Sequence, residues 1–416
     1  FPNIAPDHQP FAKETLSNLI GGVTYNYGRL LLKLDVAKKH FTEEEIAGSF
    51  KAVAIEKENL FVMPPVGLLT ATPSRAVFPR GFFWDEGFHQ LLILRWDPSL
   101  TKFCLRSWMN VAAPNGWFPR EQVLGHEARA TFPSHVRHLM FQDPAVANPP
   151  SMFMPVRALL AREMGQCTEE TRDSDECKAL IEEEPKDFWQ ETVTKLAKFF
   201  AWLETSQMGP EKDTFRWRGR SEDQVTPDGY PHTLASGLDD YPRGQIVSDK
   251  AKHLDLQTWM IWAASILGGF TEKGSPKPRN LKNAMMNWPT LCDYDGEEYV
   301  CDDGYVTLFP LLLGVLDPKV ASEAELILDL IAQMGEEESL FAPCGLRSLS
   351  RGSDFYLKGD AYWTGPCWQP FNYLALAALD LYSRSPHPQV APAAKRLYDK
   401  LRDTVISNAL SEWESS

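Results

Sequence analysis

The chain has 416 residues and a net charge of −14, and 44% of its residues are hydrophobic. That hydrophobic share supports a large core and excludes a globally disordered chain. The acidic balance, with no block rich in Lys and Arg, excludes the basic face that nucleic acid demands, and no run of about 18 apolar residues is present to cross a membrane as a helix.

Apolar residues at i, i+3 and i+4 predict helices over 11–19, 42–56, 88–95, 155–164, 188–206, 253–267, 281–288, 321–334, 368–382 and 394–410. Thr42 ahead of Glu43 and Glu45, and Asp187 ahead of Phe188, read as helix starts. Strand-like alternation is rare and short. Loops rich in Gly, Pro and Asp, roughly 10 to 30 residues long, separate the helices, and loops of that length are usually functional. The 31 Pro are scattered as stops and turns. Neither a linker nor an internal repeat divides the chain, so a single large all-α domain over 1–416 is expected. The chain opens on Phe1 rather than Met and shows no signal peptide, so a processed or partial form of a longer protein is expected.

Seven cysteines are present, none in a C-x-x-C pair, so a zinc ribbon is not indicated. Cys167 and Cys177 flank a polar acidic loop, as do Cys292 and Cys301. Each pair reads as a disulfide in an oxidising compartment, or else as free buried thiols.

Residues 78–89 crowd Phe78, Phe82, Phe83, Trp84 and Phe88 together with Arg80, Asp85, Glu86 and His89. Flat rings cover the apolar face of a sugar, and carboxylates and Arg grip its hydroxyls. Glu86 reads better as a helix-start acid that favours the dipole and points elsewhere. Gly116-Trp117-Phe118-Pro119-Arg120-Glu121-Gln122 adds a ring and polar groups, with an Arg120–Glu121 ion pair as the structural alternative. Phe215-Arg216-Trp217-Arg218 alternates cations with rings, which the acidic balance makes a sugar subsite rather than a nucleic-acid surface. Asp239 follows the tight turn Ser236-Gly237, has Leu238 and Tyr241 as apolar neighbours, and adjoins Asp240. On composition alone it is either a general acid or a solvated turn residue. Tyr362 and Trp363 form a further aromatic wall, with Trp368 after them. Asp293-Tyr294-Asp295-Gly296-Glu297-Glu298 lacks the EF-hand spacing and its position-12 Glu, and His253 has no partner at metal spacing. No metal and no cofactor are expected.

These motifs resemble the catalytic domain of glycoside hydrolase family 63, the processing α-glucosidases. Ser236-Gly237-Leu238-Asp239-Asp240-Tyr241-Pro242-Arg243 is similar to the family segment whose first Asp is the general acid, and to the acid segment of trehalases. The resemblance implies an (α/α)6 toroid of helical hairpins with long loops forming the active-site end. It implies an inverting exo-α-glucosidase that removes the terminal α-1,2-linked glucose of the triglucosylated N-glycan precursor. A carbohydrate-binding fragment without turnover and a trehalase-like hydrolase are the alternatives. Asp239 is then the acid, and Trp84, Asp85, Trp117, Arg120, Glu121, Trp217, Tyr362 and Trp363 the substrate contacts. Two departures stand out: Thr364 replaces the Arg of the family's Tyr-Trp-Arg-Gly, and Ala251 and Lys252 replace a Glu and an Arg. The family's general base lies in a Trp-Glu-Gln-Tyr segment that is absent here, so the base is expected beyond Ser416, on a domain truncated there and lacking the family's N-terminal β-sandwich. The expected partner is a glucosylated N-glycan oligosaccharide, met by a monomer in the endoplasmic reticulum lumen. Membrane contact would come only through a segment absent from this chain.

Overall fold

The computed structural model describes residues 4–33, 48, 50–54, 59–132, 134–166, 186–220, 225–270 and 277–415. It divides into two compact units. The N-terminal unit is Ala12–Gln207 with Gly269–Glu272. The C-terminal unit is Met208–Gly268 and Lys273–Ser416, with Phe1–Phe11. Twelve α-helices lie among the described residues.

Helix α1 (Gln9–Gly21) leads into a four-stranded sheet of order β2-β3-β1-β4. β1 (Val23–Lys33) pairs antiparallel with β3 (Leu60–Ala71), from Val23 opposite Ala71 to Lys33 opposite Leu60. β2 (Val53–Ala54) and β4 (Phe141–Gln142) are short flanking strands. The sheet corrects the all-α expectation. Its long strands are disguised by Leu30-Leu31-Leu32 in one and Pro64-Pro65 in the other. The pairing shifts register between Arg29 and Leu31, beside those prolines, and a bulge is where a strand tolerates Pro. Gly28 has a steric role, since a Cβ there would sit 2.3 Å from the Gly125 nitrogen. The helix expected over 42–56 lies mostly outside the described residues, and its described end contains β2 instead.

Helix α2 (Phe83–Trp96) begins five residues earlier than its periodicity suggests, which places Trp84 and Asp85 in its first turn. Helix α3 (Pro98–Val111) was not expected. Its signal is local: Asp97 caps the Leu100 N–H at 3.0 Å, and Pro98 occupies the first turn. After a short helix α4 (Gly125–Ala130) come α5 (Phe153–Gln166) and α6 (Lys186–Ser206). Phe83 lies at the centre of this unit's core, with ring centroids 4.7 Å from Phe118, 5.2 Å from Phe199 and 5.7 Å from Trp108.

In the C-terminal unit, helix α7 (Leu254–Gly269) is buried on every side through Ala264. Its composition is apolar all round, which is the pattern of an interior helix. Helix α8 (Lys277–Met286) precedes a two-stranded ribbon, β5 (Asp293–Tyr294) and β6 (Tyr299–Val300). Helices α9 (Tyr305–Leu312) and α10 (Ala321–Met334) are followed by the hairpin β7 (Phe341–Ala342) and β8 (Gly345–Leu346). Helix α11 (Gln369–Ser383) packs on both α9 and α12 (Val390–Ser415). No described helix is long and apolar enough to cross a membrane.

Cys292 is bonded to Cys301, as expected, and Cys344 to Cys367, a pair sequence spacing does not suggest. Cys167 and Cys177 lie outside the described residues. Cys104 is a free thiol, buried, and burial pushes its pKa up. Non-reducing peptide mapping should therefore recover both bonded pairs, with Cys104 alkylated only after unfolding. Replacing Cys344 and Cys367 with Ser should cost about 3 kcal/mol in chemical denaturation, the usual worth of a loop of that size.

Candidate active site

The expected residues fall in two groups, one in each unit. In the N-terminal unit, residues 81–83 and 120–122 run antiparallel. The Phe83 N–H donates to the Arg120 carbonyl at 3.1 Å, and the Gln122 N–H to the Gly81 carbonyl at 2.9 Å. This pairing brings the field of Arg120 onto Asp85. Both Trp84 and Asp85 are half-buried. Burial raises the Asp85 pKa, against the opposing charges of His89 and Arg120.

Glu86, next in sequence, is wholly buried. It accepts from the Thr70 hydroxyl at 2.9 Å, the Ala71 N–H at 3.0 Å and the Gln90 amide at 2.7 Å. It ties the helix start to β3. Glu121 is 3% exposed and pairs with Arg80, whose guanidinium lies 4.1 Å from the Phe132 ring centre. Burial raises the Glu121 pKa, and Arg80 offsets it. The structural ion pair is therefore Arg80–Glu121, with Arg120 more distant at 3.9 Å. Trp117 is 1% exposed, edge-on to Phe50, and donates its indole N–H to the Val146 carbonyl at 2.9 Å. Trp117 and Glu121, both expected to contact sugar, are interior groups of this unit. Asn148 also holds backbone, donating to the Phe118 carbonyl at 3.1 Å.

In the C-terminal unit, a 3-10 turn (Leu234–Ser236) ends at Gly237 in the left-handed conformation, φ 76°. Only a residue without a Cβ adopts that φ freely. The turn then delivers two carboxylates to different places. Asp239 is half-buried, while Asp240 is wholly buried. Asp240 accepts the backbone N–H groups of Tyr362 at 2.9 Å and Trp363 at 2.6 Å. Burial raises its pKa and those two hydrogen bonds lower it.

Tyr362 is 45% exposed, whereas Trp363 is only 4% exposed. Trp363 stacks on Trp368 at 4.1 Å and 13°, and the Trp368 indole donates to the Tyr362 carbonyl at 3.0 Å. Of the expected aromatic wall, Tyr362 is thus the exposed ring and Trp363 the buried one. Thr364, in the family's Arg position, is buried and donates to the Lys358 carbonyl at 2.8 Å. His232 meets Asp360 at 2.6 Å, a pairing across 128 residues that no local motif announces.

Trp217, expected as a subsite ring, is 1% exposed and donates its indole N–H to Asp255 at 2.9 Å, so it too is interior. Asp255 also receives Arg243 through two bonds of 3.0 and 2.6 Å, and Arg243 reaches Asp293 at 2.7 Å. Arg220 holds the Gly244 and Ile246 carbonyls at 2.8 and 3.2 Å. Asp295 accepts the Glu297 and Glu298 N–H groups, closing a turn.

The model of the glycosyl hydrolase family 63 C-terminal domain matches residues 2–287 and 273–416. The chain belongs to glycosyl hydrolase family 63. It is 31% identical, over 98% of its length, to the probable mannosyl-oligosaccharide glucosidase of Schizosaccharomyces pombe, covering 55% of that protein. It is 31% identical, over 97% of its length, to the mannosyl-oligosaccharide glucosidase of Saccharomyces cerevisiae, covering 53% of that protein. The chain thus spans about half the length of the curated relatives it matches. The fold matches a family 63 mannosylglycerate hydrolase from Thermus thermophilus, with a TM-score of 0.53 at 15% identity over 79% of this chain and 86% of that one.

His253 gives this site a measurable pH response. Its Nδ1 accepts the Trp217 backbone N–H at 2.8 Å, and it is 1% exposed. Burial, with Arg243, Arg220 and Arg216 nearby, holds its pKa well below the ordinary 6.5. The unfolded chain therefore binds a proton below pH 6.5 that the folded chain refuses. The His253 contribution is complete above that pH and lost as pH falls, by about 1.4 kcal/mol per unit. Denaturation should show lower stability at pH 5 than at pH 7, in the direction this group sets. His253→Asn keeps an acceptor near the Nδ1 position and should remove that part of the slope.

Proposed function

We propose that this chain is the catalytic part of an inverting exo-α-glucosidase that removes the terminal α-1,2-linked glucose from a glucosylated N-glycan. The observation that carries this reading is the diverging pair Asp239–Asp240. One carboxyl stays accessible, while its neighbour holds the backbone of the exposed ring of Tyr362. Two relatives named as mannosyl-oligosaccharide glucosidases support the substrate class.

Asp239 donates its proton to the departing glycosidic oxygen as the bond to the anomeric carbon breaks. Tyr362 covers the apolar face of the terminal sugar. In the N-terminal unit, Trp84, Asp85 and Arg120 form a separate candidate set of sugar contacts, a half-buried carboxylate and a guanidinium suited to gripping hydroxyls. In an inverting enzyme a second carboxylate activates water from the opposite face. The family places it in a Trp-Glu-Gln-Tyr segment that residues 1–416 do not contain, and no residue of this chain is given that role. Two disulfides suit an oxidising lumen such as that of the endoplasmic reticulum. The enzyme works there as a monomer.

The test uses the full-length protein and an α-1,2-linked glucose disaccharide. Asp239→Asn should lower turnover about 10²- to 10⁴-fold, the usual share of general acid catalysis, with little change in affinity for a glucose-type inhibitor. Wild-type turnover in that variant would remove Asp239 from the role of acid. The first-released glucose should be the β anomer by NMR, and an initial α product would show retention instead.

A further inference from the structure

We infer that Asp240 is a positioning residue for the proposed reaction, one that fixes the Tyr362–Trp363 backbone beside the residue that delivers the acid. The inference rests on the glucosidase reading for its consequences but on geometry for its substance.

Asp240 is 0% exposed, yet neither of its oxygens pairs with a cation among the described residues. They receive two successive backbone N–H groups from a loop more than 120 residues away. That loop needs holding. Leu357 and Ala361 both lie in the left-handed region, at φ 54° and 53°, where a residue with a Cβ is strained. Such a conformation persists only where its surroundings over-determine it. Several contacts share that task. The Leu357 N–H reaches the Thr364 carbonyl at 2.7 Å, and the Cys344–Cys367 bond anchors the chain just before Trp368. The Tyr230 hydroxyl donates to the Asp240 carbonyl at 3.0 Å. Among these ties, Asp240 links the loop directly to the residue after Asp239. Acid and aromatic ring are thereby set by one turn of chain.

An amide at position 240 offers one acceptor where two N–H groups need one each. It also turns an NH₂ towards one of them. A buried N–H left without a partner typically shifts an equilibrium by about 10- to 100-fold.

The experiment compares Asp240→Asn, Asp240→Ala and Asp239→Asn in the full-length protein. The probes are 1-deoxynojirimycin titration, steady-state kinetics and near-ultraviolet circular dichroism of the Trp363–Trp368 stack, its band identified as the one Trp368→Phe removes. Asp240→Asn should weaken inhibitor binding about 10- to 100-fold, raise KM more than it lowers kcat, and diminish the stack's band. Asp240→Ala should do more of each. Asp239→Asn should do the reverse, losing kcat while keeping affinity and the band. An Asp240→Asn protein with wild-type affinity and an unchanged band overturns the inference, whatever Asp239 does. If neither Asp240 variant folds, hydrogen exchange on the wild type decides. Slow exchange at the Tyr362 and Trp363 amides, slower still with the inhibitor bound, supports it, and rapid exchange at both overturns it. Should the wild type bind no glucose analogue, the glucosidase reading fails, and the dichroism band alone then judges Asp240 as before.

Discussion

The C-terminal unit is organised around a buried cation. Arg243 is wholly buried, and both of its neighbouring acids, Asp255 and Asp293, are 2% exposed or less. Taking three charges out of water costs several kcal/mol per ion, and only near-ideal geometry recovers it. The bonds here are short and numerous. Asp255 takes two from Arg243, one from the Trp217 indole and one from the Leu256 N–H, and Asp293 also takes the Leu254 N–H. Burial pushes Asp293 upward, Arg243 restrains it, and the nearby Asp255 carboxylate adds to the push. Such a cluster adds little net stability, but it fixes register. It fastens the chain just after the Asp239–Asp240 turn to the start of α7, so the proposed acid is anchored on both sides.

Each unit meets the same problem with the same device. Asp85-Glu86 and Asp239-Asp240 are adjacent acid pairs, and in each the first is half-buried while the second is wholly buried. The buried member holds backbone N–H groups of a distant segment: Ala71 for Glu86, Tyr362 and Trp363 for Asp240. An ionised carboxylate bonded to N–H donors is a strong tie that needs no cation. The pair therefore gives one accessible acid and one anchor from two consecutive residues. Similar composition thus conceals opposite roles, and burial rather than residue type separates them.

The sequence made the long helices legible because an amphipathic stripe is a repeated signal. The helix over 321–334 agrees with α10 at both ends. It failed at α3, where a cap carried more information than periodicity, and at β1 and β3, where Leu runs and prolines mask alternation. Within the site, Glu86 was legible as a helix-start residue, because a position adjoining Asp85 on a helix must point elsewhere. The burial of Glu121, Trp117 and Trp217 was not legible, for one reason. A ring or acid beside charged residues has the same local sequence whether it faces a cleft or a buried partner. The deciding contacts, Arg80 for Glu121 and Asp255 for Trp217, come from segments 41 and 38 residues away.

The tryptophans show what that ambiguity hides. A chain with long irregular loops must satisfy many backbone and polar groups without a helix or sheet to pair them. An indole is suited to this, since it fills a large volume and carries a single rigid donor. Trp108 donates to Thr70, Trp117 to the Val146 carbonyl, Trp189 to Glu163, Trp217 to Asp255 and Trp368 to the Tyr362 carbonyl. Four of these five bonds reach a segment more than 20 residues distant, and the fifth closes the loop behind the exposed Tyr362. Trp117, Trp217 and Trp368 thus fasten irregular segments, while Trp108 and Trp189 tie helices to a strand and to a neighbouring helix. Among the five rings expected to contact sugar, Tyr362 is exposed and Trp84 half-buried, and each stands next to an acid–acid pair or the backbone that such a pair holds.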